Sequence, residues 1–184
     1  KGEHFEIIKD KEDSVQSSLK AGFSTINRSH DDYEALFITN MILGGYFGSR
    51  LMQNIREEKG YTYGIYSQYT NTQLGSHITI GADVIKKHNE DVVFEIKKEI
   101  ELLQNTAISQ LELNSAREYI KGKIINSVGT AFQIMDKFSF LHYENLPVNY
   151  YSSLFTKIDD LTVQDILSAS QNHLTKDISY SIYG

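Results

Sequence analysis

Apolar and polar residues alternate along three stretches in the first half of the chain. Residues 14–27 carry small or apolar side chains at every second position, and residues 76–84 do the same with isoleucine and alanine on one face. Residues 61–69 are rich in tyrosine and alternate in the same way. A period of two is typical of β-strands that bury one face. The short polar link at residues 71–75 predicts that the last two strands form an antiparallel hairpin.

The residues between the first strand and this hairpin have the apolar spacing of helices. Asp31 and Asp32 are expected to open a helix, because acidic side chains suit its positive end. Gly44 and Gly45 are expected to stop it. A second helix is predicted over residues 49–59, and the glycine that follows fits the left-handed position just past a helix end.

The second half of the chain is mostly helical in pattern. Ser109 with Glu112 has the spacing of a capping box, and Thr162 with Asp165 is a similar capping signal, so both pairs predict helix starts. Further helices are expected over residues 92–103 and 150–158. Phe132, Met135 and Phe138 form an apolar stripe that predicts another helix, which ends before Pro147. Residues 178–183 return to strand.

The order of these elements predicts an α+β fold. Strand, helices, two strands, helices and a final strand make an expanded β-α-β-β-α-β plan. We expect a mostly antiparallel sheet with the helices packed on one face. Residues 1–13 are polar and mixed and are interpreted as an interdomain connection, and residues 14–184 as a single domain.

Composition narrows the function classes. The 18 basic and 24 acidic residues give a net charge of −6, and no basic stripe is present, which disfavours nucleic acid as a partner. Lys97 and Lys98, among acidic neighbours, are typical of a solvated helix face.

No apolar run approaches the length of a membrane span, and a chain without cysteine suits cytoplasm and periplasm equally. The opening Lys1-Gly2-Glu3 suggests a piece of a longer polypeptide.

The histidine pattern predicts no metal site in this chain. A helical zinc site needs two histidines one turn apart and a carboxylate. No two of the six histidines lie within four residues of each other, and cysteine ligands are absent from the sequence. Helix capping explains the acidic pair at 31 and 32, and a turn explains Asp159 and Asp160.

Nucleophilic and nucleotide chemistry are also disfavoured. The sequence has neither a Gly-x-Ser-x-Gly elbow nor a cysteine nucleophile. Gly48 and Ser49 open the second helix, where Ser49 is a candidate cap and free N–H groups could hold an anion. The lysine of a phosphate-binding loop is missing, so an anion site there rests only on the loop.

Arg56 and Tyr63 are the candidates for chemistry. Arg56 lies late in the second helix and Tyr63 early in the next strand, and a reversal at Gly60 could bring them to one surface. A guanidinium and a phenol together can hold a peptide carbonyl or stabilise an oxyanion. The alternative stays open that Arg56 pairs with Glu57 or Glu58 and that Tyr63 is an ordinary strand residue.

The run that contains both residues resembles a known signature. Leu43-Gly44-Gly45-x-x-x-Ser49-Arg50-Leu51, followed by Arg56-Glu57-x-Lys59-Gly60-x-x-Tyr63, is similar to the C-terminal-type domain of insulinase-like (pitrilysin or mitochondrial-processing-peptidase-like) zinc metallopeptidases. In this family homologous α+β domains pair as halves of a clamshell. One half carries His-x-x-Glu-His and zinc, and the other carries no metal.

The resemblance implies a division of labour. This chain would be the non-metal half of a zinc metalloendopeptidase, inactive alone, completed by a homologous metal-bearing domain or subunit and acting on unfolded peptide. Arg56 and Tyr63 would contact the substrate carbonyl, and zinc would belong to the partner. Arg50 would anchor the glycine segment or an interdomain contact, and Tyr61 and Tyr66 could line the chamber.

A second hypothesis is that the chain has the same fold but takes no part in catalysis. Some members of the family that the motif resembles have lost peptidase activity and serve as scaffolds. The chain would then be a noncatalytic structural or peptide-binding domain. Retention of both Arg56 and Tyr63 argues against this hypothesis.

Overall fold

Five strands form one mixed sheet in the order β1-β5-β2-β4-β3. They were located in a computed structural model that describes residues 4–72 and 75–184. All neighbouring strands are antiparallel except β1 and β5, which run parallel. The strands are β1 (Glu6–Lys9), β2 (Gln16–Thr25), β3 (Thr62–Thr72), β4 (Gly75–Ile85) and β5 (Ser179–Tyr183).

Helices account for most of the remaining chain. The α-helices are α1 (Tyr33–Asn40), α2 (Asn89–Asn105), α3 (Gln110–Asn126), α4 (Ala131–Tyr143), α5 (Tyr150–Asp160) and α6 (Val163–His173). Two π-helical segments, Met41–Gly45 and Met52–Glu58, lie between α1 and β3, and a 3₁₀ turn at Lys86–His88 precedes α2. The predicted α+β class, the mostly antiparallel sheet and the helical layer are therefore confirmed.

The core lies between one face of the sheet and the helices. Leu19 on β2 stands opposite Ala82 on β4 and Ile182 on β5, and all three are buried. These are the alternate positions at which the sequence places apolar side chains, so the period of two correctly identified the buried face. Ile96 and Ile100 of α2 belong to the same buried cluster.

The strand β1 was not predicted. It lies inside residues 1–13, its four residues are all exposed, and its register with β5 pairs Ile7 with Ser181. An edge strand with no buried face leaves no period-two pattern in the sequence. The role of residues 1–13 as an interdomain connection stays a prediction.

Other elements differ from the predictions in detail. The hairpin strands extend to Thr72 and Gly75, so they are longer than expected, and residues 73–74 of the predicted link lie outside the described part. The predicted apolar stripe of Phe132, Met135 and Phe138 lies on α4 but is exposed, and Leu141 is the buried residue of that helix. Asp159 and Asp160 end α5 and do not form a separate turn. Within the described ranges, no helix is both long and apolar enough to cross a membrane.

Candidate functional site

The glycine segment packs directly on strand β3. A Cβ atom added to Gly44 would lie 2.7 Å from both the Cβ and the backbone N of Ser67. Real Cβ atoms do not approach other atoms so closely, so the segment can lie against the strand only with glycine at this position. The motif glycine therefore sets the spacing between the segment and the strand that carries Tyr63.

Arg50 anchors this segment to the helical layer. Its guanidinium donates to both carboxylate oxygens of Glu112 on α3, at 2.7 and 3.1 Å. Burial alone would lower the pKa of Arg50, but the hydrogen bonds and charge of Glu112 outweigh it and raise that pKa. Arg50 is thus held by Glu112, which agrees with an anchoring role and leaves the substrate contact to other residues.

A polar network ties the helix that bears Arg56 to α2. The amide of Asn54 donates to Glu95 at 2.9 Å and to Glu99 at 2.6 Å, and Lys59 lies 3.0 Å from Glu95. Both carboxylates are buried, which corrects the expectation of a solvated face around Lys97 and Lys98. Their burial is tolerated because these donors satisfy the oxygens.

Arg56 occupies the last turn of the π-helical segment Met52–Glu58. The turn ends at Gly60, whose φ of 65° is left-handed as predicted. The guanidinium carbon of Arg56 lies 4.6 Å from the centre of the Phe47 ring, and one of its nitrogens pairs with Glu57. The predicted alternative partner is therefore present. Such an exposed pair is worth about 0–1 kcal/mol, so it leaves the guanidinium free to exchange partners.

Tyr63 projects from a β-bulge. Thr62 pairs with Val84 and Ile65 pairs with Ala82, so β3 carries one more residue than β4 between these pairs. A bulge of this kind re-aims a side chain, and bulges are over-represented next to active sites. Tyr63 is 85% exposed, which is unusual for a strand tyrosine beside a packed core.

An open cavity of about 530 Å³ joins these features. Gly44, Phe47, Tyr63 and Tyr66 contribute to its wall, whereas Arg56 does not. Phe47 links the two predicted residues, because its ring lines the cavity with Tyr63 and also lies against the Arg56 guanidinium. Tyr61, the other chamber candidate, stacks on His88 with ring centres 4.0 Å apart.

Comparison with known proteins identifies the family. The sequence profile of the family described as the peptidase M16 inactive domain matches residues 1–120. The chain belongs to this family. The resemblance inferred from the motif is thereby confirmed, and so is the prediction that this is the inactive-type domain.

Individual relatives extend the match over the whole M16 domain. An uncharacterized zinc protease, YmxG of Bacillus subtilis, is 30% identical over 68% of this chain and 31% of its own length. A probable inactive metalloprotease of the same organism, YmfF, is 25% identical over 97% and 41% respectively. The chain thus spans less than half the length of these relatives.

A solved structure shows the same fold. The crystal structure of a peptidase M16 inactive domain from Pseudomonas fluorescens superimposes with a TM-score of 0.84 at 28% identity. The superimposed region covers 98% of this chain and 43% of the solved chain. The M16 domain therefore has the architecture of its relatives from β1 to β5.

Two residues near the site were missed or misjudged from the sequence. Phe47 was not selected from the sequence. Its place inside a glycine-rich motif was the available signal, and the structure adds that its side chain is 61% exposed. Ser49 was expected to cap the second helix. Its hydroxyl is buried and has no hydrogen-bond partner among the described residues, so this prediction was wrong.

The predicted helix start at Asp31 and Asp32 is confirmed, since α1 begins at Tyr33, but side-chain capping by Asp32 was wrong. Asp32 precedes α1, but its carboxylate makes no capping hydrogen bond. It lies instead 2.6 Å from Nε2 of His173, at the end of α6. With His30, these side chains form the one group of potential metal ligands found among residues 4–72 and 75–184. Their separation in sequence hid them from a search for local motifs.

Proposed function

We propose that this M16 domain is the non-metal half of a zinc metalloendopeptidase and supplies Arg56 and Tyr63 to a homologous domain that carries His-x-x-Glu-His. The observation that carries the proposal is the bulge at Tyr63, which holds an exposed phenol at a cavity whose wall includes Phe47, the residue that also contacts Arg56. The zinc-protease names of the relatives support the reaction class.

The two side chains suit a role on the substrate and do not suit metal binding. An arginine has only donors, and a neutral tyrosine hydroxyl is a poor ligand, so neither would hold zinc. The expected partner supplies a metal-activated water for hydrolysis. This chain would donate hydrogen bonds to the carbonyl oxygen of an unfolded peptide as negative charge develops there.

Donation of this kind favours the transition state. One well-placed donor to an oxyanion is typically worth about 10²–10³ in turnover. The cation–π contact with Phe47 would help to hold Arg56 for this role, and such a contact contributes about 0.5–1 kcal/mol at an exposed site. The weak pair with Glu57 can be exchanged for a substrate carbonyl.

The second candidate function is a noncatalytic scaffold. It is favoured by the relative named as a probable inactive metalloprotease, which aligns with 97% of this chain. In that case the cavity would bind peptide or a neighbouring domain without any turnover.

Reconstitution separates the two functions. The chain alone is expected to leave an unfolded fluorogenic peptide intact. Addition of a domain with His-x-x-Glu-His from the same genome is expected to produce hydrolysis. A control domain with the motif glutamate changed to glutamine should give none. If the combined domains form a complex but never cleave, the peptidase proposal is wrong and the scaffold is favoured.

A further inference from the structure

Three potential metal ligands, two from one loop and one from the distant end of α6, lie close together. His30 lies in the loop before α1, Asp32 immediately precedes α1, and His173 is the last residue of α6. One potential ligand atom from each lies within 4.8 Å of the other two. The site is formed by the packing of α1 against α6.

The geometry brings the donors toward a common centre. Nε2 of His173 and a carboxylate oxygen of Asp32 are 2.6 Å apart, and the rings of His30 and His173 are edge to face with centres 5.0 Å apart. The backbone N–H of Asp32 donates to Nδ1 of His30 at 3.1 Å. Two imidazoles and one carboxylate thus converge.

Apart from its pair with His173, the Asp32 carboxylate has no charged partner in the described chain. It makes no capping bond to α1, and no described lysine or arginine lies within ion-pair distance of it. A simple histidine–aspartate pair occurs elsewhere, between His88 and Asp91 at 2.9 Å. The difference at His173 is the third potential ligand.

We propose that His30, Asp32 and His173 bind a divalent transition-metal ion, of which Zn²⁺ is the best match. Two imidazoles and a carboxylate with an open fourth position suit a borderline ion and disfavour Mg²⁺ or Ca²⁺, which prefer oxygen-only shells. His173 borders a second open cavity of about 860 Å³ on the uncovered face of the sheet. His30 is exposed, so a solvent water can complete the shell.

Binding requires a small rearrangement. Ligand atoms around tetrahedral zinc lie about 3.3 Å apart for bonds of about 2.0 Å, so His173 and Asp32 must separate slightly while His30 moves in. The ion replaces the proton on Nε2 of His173, and that proton moves to Nδ1 or to solvent. His30 binds either through Nδ1, by giving up the hydrogen bond from the Asp32 backbone N–H, or through Nε2, whose proton then moves to solvent. The bound ion would connect the start of α1 to the end of α6.

The test is metal binding by the full 184-residue chain without an affinity tag. Equilibrium dialysis with Zn²⁺ is expected to find one ion per chain, and Co²⁺ is expected to give visible absorption bands. Zn²⁺ should also raise the melting temperature, because the ion binds only the folded chain. The readout does not involve peptidase activity, so its failure leaves the proposed function unaffected.

Variants identify the ligands. H30Q and H173Q are each expected to weaken Zn²⁺ binding by at least about tenfold, since even outer partners of metal ligands cost that much. H30Q is the stronger test, because His30 is exposed and its loss should not disturb folding. H88Q removes a histidine from a simple pair and should bind like the unchanged chain. No bound ion, or normal binding by H30Q, would overturn the proposal.

Discussion

The hydroxyl of Thr62 accepts a hydrogen bond from the backbone N–H of Gly64 at 3.1 Å, across the bulge that contains Tyr63. The same hydroxyl lies 2.5 Å from the carbonyl oxygen of Asp83 on the neighbouring strand. It therefore fixes both ends of the extra residue. The bulge that carries Tyr63 is thus held by the hydroxyl of a buried threonine.

Replacement of Thr62 by valine tests this relationship. T62V keeps the shape but leaves Gly64 without its acceptor, and it should cost about 1–3 kcal/mol in the free energy of unfolding. In the reconstituted peptidase we expect lower turnover with little change in KM, and recovery in T62S. T70V on the same strand is the control. Equal turnover in T62V and T70V would contradict the positioning role.

Gly44 and Gly122 should respond to alanine in opposite directions. The added methyl group of G44A meets Ser67 at 2.7 Å, and we expect a loss of about 1–3 kcal/mol from overpacking. G122A lies in α3 with open space around it and should gain about 0.5–1 kcal/mol from helix propensity. Urea denaturation of both variants measures the difference. A G44A domain as stable as the unchanged chain would show that the segment can move away from β3.

The stability of the M16 domain should fall in acid partly through Glu95. Burial would raise the pKa of Glu95, but hydrogen bonds from Asn54 and Lys59 and the charge of Lys59 lower it. The folded state then binds the proton less readily than the unfolded chain. The stabilisation is present above the ordinary carboxyl pKa and is lost as the pH falls through the lowered value.

Denaturation curves between pH 7 and pH 3 check this prediction. At pH 7, E95Q should be less stable by about 1–3 kcal/mol, because a charged hydrogen-bonded group is lost. Its stability should then fall less steeply in acid than that of the unchanged chain. E118Q, at an exposed position on α3, should follow the unchanged chain. Parallel curves for E95Q and the unchanged chain would show that Glu95 titrates normally.

Local rules predicted the features that depend on neighbouring residues. The buried face of β4, the left-handed Gly60 and the capping box of Thr162 and Asp165 all follow from spacing of four residues or fewer. The motif itself identified the family. Ser109 caps α3 as expected, but Glu112 binds Arg50, which is 62 residues away in sequence.

Features that depend on packing could not be predicted in the same way. The bulge at Tyr63 is visible only when β3 is paired with β4, and the π-helical turn under Arg56 has the same apolar spacing as an α-helix. The burial of Glu95 depends on Asn54, 41 residues earlier. The partnership of Asp32 and His173 spans 141 residues.

The most direct test of the account is the turnover number of Y63F in the reconstituted peptidase. The variant removes one hydroxyl from an exposed ring, so folding and complex formation should be unchanged. We expect kcat to fall by about 10²–10³, while Y143F, which removes the hydroxyl of an exposed tyrosine on α4, keeps normal turnover. A kcat for Y63F equal to that of Y143F would contradict the proposal that this domain supplies Tyr63 to the reaction.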